Sequence, residues 1–365
     1  MIRFLGYIVV FLTTFSLTYS ESVTDSVGKR FPEVTVEGKK ELTNQGFNYI
    51  SSQLLDSKAI EKIRPIQISD ALQYIAGVNI RDYGGLGSIK TISLRGLPSN
   101  QTLVLIDGLR INNSQTGIAD VSKIFVSSIG RIEVAKSSSS SLYGSNAMAG
   151  IVNLISKTEL QDNYRFTGSY DNFTNKILEA EITQNIDSIP YALKVRKTNS
   201  DGTYSFKVGD KRYDRQNSQV DNLDLYLGTV FGWGNFTLKP KLIIRESQTG
   251  SPEPVLAGVQ RASNAFLKES DLTAIVSANN YINDSTEFKI GAVYSYSDLQ
   301  YKNENAIEFG ANGLDNDFYN NAMQIRSEYN SKYKNLYYGF VANANINTLS
   351  GDMLQKTQNN IGRQD

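Results

Sequence analysis

From Tyr164 onward the chain is written with a period of two. Leu178, Ala180, Ile182 and Ile186 share one face, against Glu179, Glu181, Thr183 and Asn185 on the other. Leu223, Leu225, Leu227 and Phe231 oppose Asn222, Asp224 and Tyr226, and Phe288, Ile290, Ala292, Tyr294 and Tyr296 oppose Glu287, Lys289 and Ser295. Alternation of this kind predicts β-strands. We place them near 164–170, 176–186, 190–199, 220–231, 236–246, 269–281, 286–297, 318–330 and 336–346. A one-sided antiparallel sheet gives the same alternation. The connections separate the two readings, because they alternate in length. Those at 187–189, 232–235, 282–285 and 331–335 are short, and those at 200–219, 247–268 and 298–317 are long. Short turns at one end and long loops at the other are the pattern of an outer-membrane barrel, with the long loops outside the cell. No segment beyond the N-terminus approaches 18 consecutive apolar residues. If the mature chain crosses a membrane it must therefore do so with strands, since only helices and closed barrels satisfy their backbone in lipid.

The composition narrows the chemistry. The chain has neither Cys nor His, which removes disulfides, Cys- or His-ligated metals, Ser-His-Asp triads and His general bases. With no close carboxylate pair in a recognisable motif either, we expect no enzyme, no cofactor and no metal site. The 37 basic residues balance 37 acidic ones, so no nucleic-acid partner is implied. The 21 Tyr against seven Pro fit the aromatic girdles of a membrane barrel, or a Tyr-rich extracellular β-sandwich. At the N-terminus, Arg3, an apolar run over 4–17 and small residues at 18 and 20 predict a signal peptide cleaved after Ser20. The alternative, an uncleaved anchor, has a short apolar run for a full span.

Residues 68–157 follow other rules. Ser69 is placed to cap a helix over 70–76, with Ile68, Leu72 and Ile75 at core spacing and Gly77 ending it. Residues 102–106 are an apolar run ending in Asp107-Gly108, a dipeptide that favours a tight hairpin. Strands over 131–134 and 151–155 follow, joined by a Ser-rich loop. On these residues alone, a small soluble α+β domain with solvated Arg95, Asp107, Arg131 and Glu133 is an equally direct reading.

The order of motifs goes further. Leu94-Arg95-Gly96, the VLIDGLR run at 104–110, RIEV at 131–134 and LYGSNAMAGIVNLISK at 142–157 occur in sequence. Together they resemble the plug domain of TonB-dependent outer-membrane receptors of the cobalamin/siderophore type. The resemblance implies an all-β transmembrane antiparallel barrel with an N-terminal α+β plug, located in the cell outer membrane. The expected organisation is a signal peptide over 1–20, a periplasmic tail over 21–40, the plug over 41–158 and a partial barrel over 159–365. About nine strands are legible, whereas receptors of this type close with about 22. An odd count and a polar last segment lead us to expect that the chain is the N-terminal part of a longer receptor, unable to act as a transporter by itself.

The same resemblance assigns roles. Glu33, Val34, Thr35 and Val36, β-branched in part and set between Pro32 and Gly38, resemble the TonB box. Through it the energy-transducing protein TonB adds a strand and pulls. Arg95 and Lys136 are the expected plug–barrel latch. Lys136 departs from the family, which usually has Arg-Gly-Pro here, so Arg95 is the stronger candidate. Tyr83, Leu86, Ser88, Asn112, Asn113 and Gln115 sit where apical loops would touch a ligand. That ligand is expected to be a scarce, bulky nutrient or metal chelate, cobalamin or a ferric siderophore. Asp201, Asp210, Asp214 and Asp221 lack calcium-loop spacing and read as a solvated loop. A passive pore or surface-binding barrel remains the alternative; such a protein has no use for residues 33–36.

Overall fold

A computed structural model describes residues 52–351, apart from 84–87, 137–142, 144–145, 159–160, 171–173, 253–254, 257–258, 261–263, 284, 306–312 and 335. The signal peptide and the TonB-box residues Glu33, Val34, Thr35 and Val36 lie outside the described residues, as does Leu86.

The N-terminal part is a small α+β unit. Strand β1 (Ser52–Leu55) leads into α1 (Ser57–Ile63), where the Asp56 carboxylate accepts from the Ala59 N–H at 2.8 Å as a helix cap. Helix α2 is Ile68–Leu72, earlier and shorter than expected. The reason is Asp70, whose Oδ2 accepts from the N–H groups of Ile66 and Gln67 at 3.0 and 2.9 Å, so the helix starts ahead of Ser69. Ile68, Leu72 and Ile75 are nonetheless all buried. Strands β2 (Val78–Asp82) and β3 (Lys90–Leu94) form a hairpin. A five-stranded sheet follows from β4 (Thr102–Ile106), β5 (Leu109–Arg110), β6 (Ile129–Ala135) and β7 (Gly150–Ser156), in the order β1-β6-β7-β4-β5. Only β4 and β7 run parallel within it. Ile68, Leu72, Leu94, Ile132, Val134, Val152 and Leu154 form the centre of its core, all fully buried. Each such side chain is worth about 1.5–3 kcal/mol on burial.

Two of the motifs are backbone devices. Asp107 and Gly108 both have positive φ, 49° and 82°, which is the geometry of the tight hairpin turn joining β4 to β5. Gly150 has φ of 140°, and a Cβ there would stand 2.2 Å from the Ala135 carbonyl oxygen. Only glycine lets β7 start beside β6 at that point.

The second part is a wall of long antiparallel strands. They are β8 (Asn163–Tyr170), β9 (Lys176–Ile186), β10 (Ile189–Ser200), a separate hairpin β11 (Ser205–Val208) and β12 (Lys211–Asp214), β13 (Val220–Thr229), the short β14 (Phe231–Trp233) and β15 (Phe236–Gly250). A second small hairpin, β16 (Val255–Leu256) and β17 (Val259–Gln260), precedes β18 (Phe266–Asn283), β19 (Thr286–Asn303), β20 (Leu314–Tyr333) and β21 (Leu336–Gly351). The long strands pair in chain order from β8 to β21, and the sheet does not close among the described residues. Short turns and long loops alternate as the sequence predicts. The two small hairpins and the extra length of β18 to β21 are not foreseen. Towards the long-loop end apolar residues such as Leu267, Leu299 and Phe318 no longer alternate regularly with polar ones, so the ladder continues where the period of two has faded.

The wall is inside out relative to a soluble sheet. Its polar row is buried: Asp224 is 1 % exposed, Arg245 3 % and Arg196 4 %. Its apolar row is outside: Leu178 is 66 % exposed and Leu223 36 %. A β-sandwich buries the opposite rows. This polarity is that of a transmembrane barrel whose outer face meets lipid and whose inner face holds the plug.

Candidate functional site

Three sets of contacts seat the plug against the wall. The first is a charged network around the 3-10 turn Val121–Lys123. Arg245 donates through Nε to Asp224 at 2.5 Å, through Nη1 to Asp120 at 3.2 Å and to the Ser122 hydroxyl at 2.8 Å. Arg196 holds the other Asp224 oxygen at 3.0 Å, reaches the Ser122 carbonyl at 2.8 Å, and lies 4.7 Å over the Phe125 ring. Lys123 crosses to Glu269 at 3.0 Å and to Asp271. Burial opposes the Lys123 charge, but Asp271 and Glu269 outweigh it and hold the ammonium well above the usual lysine range. The Ser127 hydroxyl donates to Glu181 and lies 2.6 Å from Lys194 Nζ, which extends the seam to β9 and β10.

The second set is the tip of the β4–β5 hairpin, which acts as a wedge. The Asp107 carboxylate accepts from the N–H and hydroxyl of Ser156 at 2.8 and 2.7 Å and pairs with Lys241 of β15. Burial opposes its charge, but Lys241 and Lys239 outweigh that and keep the carboxyl well below the usual carboxylate range. Leu109 joins the buried cluster of Ile275 and Val293 on β18 and β19. It sits over Gly291, where a Cβ would stand 2.8 Å from Leu109 Cδ1 and 3.1 Å from the Val276 carbonyl. Gly291→Leu is therefore expected to displace the wedge and lower stability by about 1–3 kcal/mol. Urea unfolding of the variant in detergent checks this, and an unchanged midpoint counts against the wedge.

The third set lies around Tyr143, whose ring carries the Arg326 guanidinium at 4.3 Å. Arg326 is held in turn by Glu328 at 3.0 Å and Asn343 at 3.1 Å.

The described residues do not show the expected latch. Arg95 is exposed, and it makes no ion pair with a wall carboxylate among the described residues. Arg95 and Gly96 have φ of 55° and 75°, and the Leu97 N–H donates to the Leu94 carbonyl at 3.0 Å. The motif is thus a tight turn at the end of β3. Lys136 bonds Gln53 of β1 at 2.8 Å, inside the plug. Among the described residues, plug-to-wall ion pairs run through Asp107, Asp120 and Lys123, of which the sequence marks only Asp107, and that as a turn residue.

At the long-loop end, the plug loop over 111–118 meets β20. Ser114 donates to Asn320 at 2.7 Å, and the Arg110 N–H donates to Gln324 at 2.9 Å. A polar cavity of about 380 Å³ opens there. It brings together Asn112, Asn113 and Gln115 of the expected contacts, but neither Tyr83 nor Ser88. Tyr83 is exposed beyond β2, and the Ser88 hydroxyl donates to Asp82 at 2.9 Å. Asn112 is a staple: it accepts from the Val104 N–H at 2.8 Å and donates to the Thr102 and Gly117 carbonyls at 3.0 and 2.9 Å. Asn113 accepts from the N–H groups of Gln115 and Thr116, which shapes the loop. Arg110, Asn146, Gln324, Asn345 and Asn347 also line the cavity, and sequence reasoning missed them as site residues. The signal for the last two is present, since Asn343, Asn345 and Asn347 recur at every second position of a strand. No group of three or more acidic side chains that could hold a metal occurs among the described residues.

A polar-lined wall around an α+β plug, with a ligand-sized cavity at the plug's outer end, is the architecture of the TonB-dependent receptors of the outer membrane, which are not enzymes. Residues 48–151 match the TonB-dependent Receptor Plug Domain family. The vitamin B12 transporter BtuB of Vibrio vulnificus is 37 % identical over 105 residues, 29 % of this chain and 17 % of that protein. The ferric preacinetobactin receptor BauA of Acinetobacter baumannii superposes with a TM-score of 0.60 at 15 % identity, over 83 % of this chain and 47 % of that one. The ferric-catecholate receptor Fiu of E. coli K12, in its closed form, gives the same TM-score, identity and coverage. The matched region thus spans under a fifth of the BtuB relative and under half of the two solved receptors. The likeness to the latter is one of fold.

Proposed function

We propose that this chain serves TonB-dependent uptake of a scarce, bulky nutrient, a cobalamin or a ferric siderophore, across the outer membrane. The observation that carries this reading is the polar cavity between the plug loop over 111–118 and the inner wall, at the end of the long loops. A plug held to the wall by ion pairs and hydrogen bonds suits a part that must shift to let a ligand pass. The 37 % identity to a vitamin B12 transporter over 105 residues favours a corrinoid, whereas the fold is shared with siderophore receptors. In this reading Asn113 and Gln115 contact the ligand and Asn112 holds their loop in place, with Tyr83, Leu86 and Ser88 as further proposed contacts.

Energy would enter through Glu33, Val34, Thr35 and Val36, added as a strand to TonB. Val34→Pro removes a ladder N–H and is expected to abolish energy-dependent uptake of labelled cyanocobalamin or ferric chelate in cells that depend on this protein. Ligand binding at the cell surface should persist. Normal uptake by the proline variant, or by a variant lacking residues 33–37, would instead favour a passive pore.

A further inference from the structure

We infer that the β11–β12 hairpin is an anion-binding arm, in which Lys207 and Arg212 grip a phosphate group of the saccharide-bearing lipid that surrounds the barrel at the cell surface. The inference goes beyond the uptake reading, since none of the hairpin's residues lines the polar cavity.

The hairpin lies in the long connection between β10 and β13, at the end of the wall that faces out of the cell. It pairs with no strand of the wall. A lone two-stranded hairpin is marginal in water, and this one is held by its own parts. On one face Phe206 lies opposite Tyr213 with ring centroids 6.0 Å apart, and Tyr204 stands 5.9 Å from Phe206. At the base the Arg215 N–H donates to the Tyr204 carbonyl at 2.8 Å, and the Ser218 hydroxyl donates to the Gly202 carbonyl at 2.7 Å. The other face has no such reason. There Lys207 stands directly opposite Arg212, and both are exposed. Like charges set opposite each other destabilise a strand pair. Asp214, the acid on that face, accepts from the Ser205 hydroxyl. Neither cation has an ion pair or a side-chain hydrogen bond among the described residues. Over 203–215 four basic residues outnumber two acidic ones, in a chain whose charges otherwise balance. Two cations side by side on neighbouring strands match one phosphate: the guanidinium fork can hold two of its oxygens, and the ammonium adds a point charge. A phosphate there also cancels the repulsion that the hairpin carries by itself. The phosphorylated saccharide of the outer leaflet surrounds such a barrel at high local concentration, which suits a clamp of only two charges.

The test uses the 365-residue chain in detergent and a fluorescently labelled, phosphorylated core oligosaccharide cut from outer-membrane lipid, with polarisation as the readout. K207Q/R212Q is expected to bind about tenfold more weakly, the loss of charge-assisted hydrogen bonds at an exposed site. Its melting temperature should hold or rise, because the repulsion is gone. K211Q removes a charge from the opposite face and should bind within about twofold of the parent. The dephosphorylated oligosaccharide should not bind, and inorganic phosphate should compete only in large excess. Equal binding by K207Q/R212Q and the parent overturns the inference. So does K211Q as weak as the double variant, which would make the effect one of net charge. Binding of the dephosphorylated oligosaccharide, competition by inorganic phosphate at matched concentration, or a parent that does not bind the labelled probe overturns it as well. Each of these failures leaves the uptake reading standing, since that reading is tested by nutrient uptake and not by this probe.

Discussion

Lys241→Met is expected to unseat the β4–β5 hairpin and destabilise the plug–wall assembly by about 3–5 kcal/mol, the usual cost of stripping one partner from a buried pair. The variant leaves the Asp107 carboxylate buried beside Ser156 and Ser277 without its closest cation. Lys239→Met should cost less, because Lys239 acts on Asp107 by charge at a distance whereas Lys241 also bonds it. The double variant Asp107→Asn/Lys241→Met removes both charges and should recover much of the loss. The measurement is the urea midpoint in detergent, with proteolysis of the hairpin as a second readout. Equal midpoints for the Lys239 and Lys241 variants would sink the assignment.

The same carboxylate sets a pH dependence. Its folded pKa lies below its unfolded value, so it binds fewer protons when folded. Its contribution is fully present above the unfolded value of about 4, and it is lost as pH falls from there through the folded pKa. The stability difference between the parent and Asp107→Asn should therefore be constant at neutral pH and shrink below about pH 4. A difference that grows on acidification counts against the pair.

Arg245→Ala is expected to have an effect of similar size at the charged network around Val121–Lys123. One guanidinium serves Asp224, Asp120 and Ser122 at once, and each is an acceptor or a buried polar group. Its removal leaves Asp120 without the wall cation that holds it and Asp224 with Arg196 alone, at a cost of about 3–5 kcal/mol. Arg245→Lys should restore little, because an ammonium is a point charge and cannot span three acceptors on two separate elements. Protease cleavage within 120–128, followed over time, should be fast in both variants. Protection of the lysine variant equal to that of the parent would show that charge alone suffices there.

What could be read in advance follows from how local each signal is. Leu178 against Glu179, or Leu223 against Asp224, announces a strand and its two faces without reference to any other part of the chain. Asp107-Gly108 announces its turn for the same reason. The alternating loop lengths then fix which kind of sheet is built. Which polar residue meets which across the interface is a different matter. Arg95 sits in a recognisable motif, but it stands exposed in a tight turn with positive φ at Arg95 and Gly96. Lys123 sits in no motif, yet the register of β18 brings Glu269 and Asp271 to it from nearly 150 residues away. Contacts of that span depend on the whole wall being formed. Helix α2 shows the smaller version of the problem, because Asp70 capped from within the first turn and moved the start past Ser69.

The buried charge on the inner wall has a mechanical consequence. Apolar surfaces pressed together resist separation as one body, since every part of the contact drives water out. Arg196, Arg245, Glu269, Asp271 and Lys241 hold the plug by discrete bonds, and the apolar contacts beside them are two separate patches, one under Leu109 and one where Phe125 meets Ala192 and Tyr226. Under a steady pull such a seam opens bond by bond, like stitching, and each freed charge hydrates at once. It can close again by the same steps when the pull stops, with only two small apolar patches bared in between.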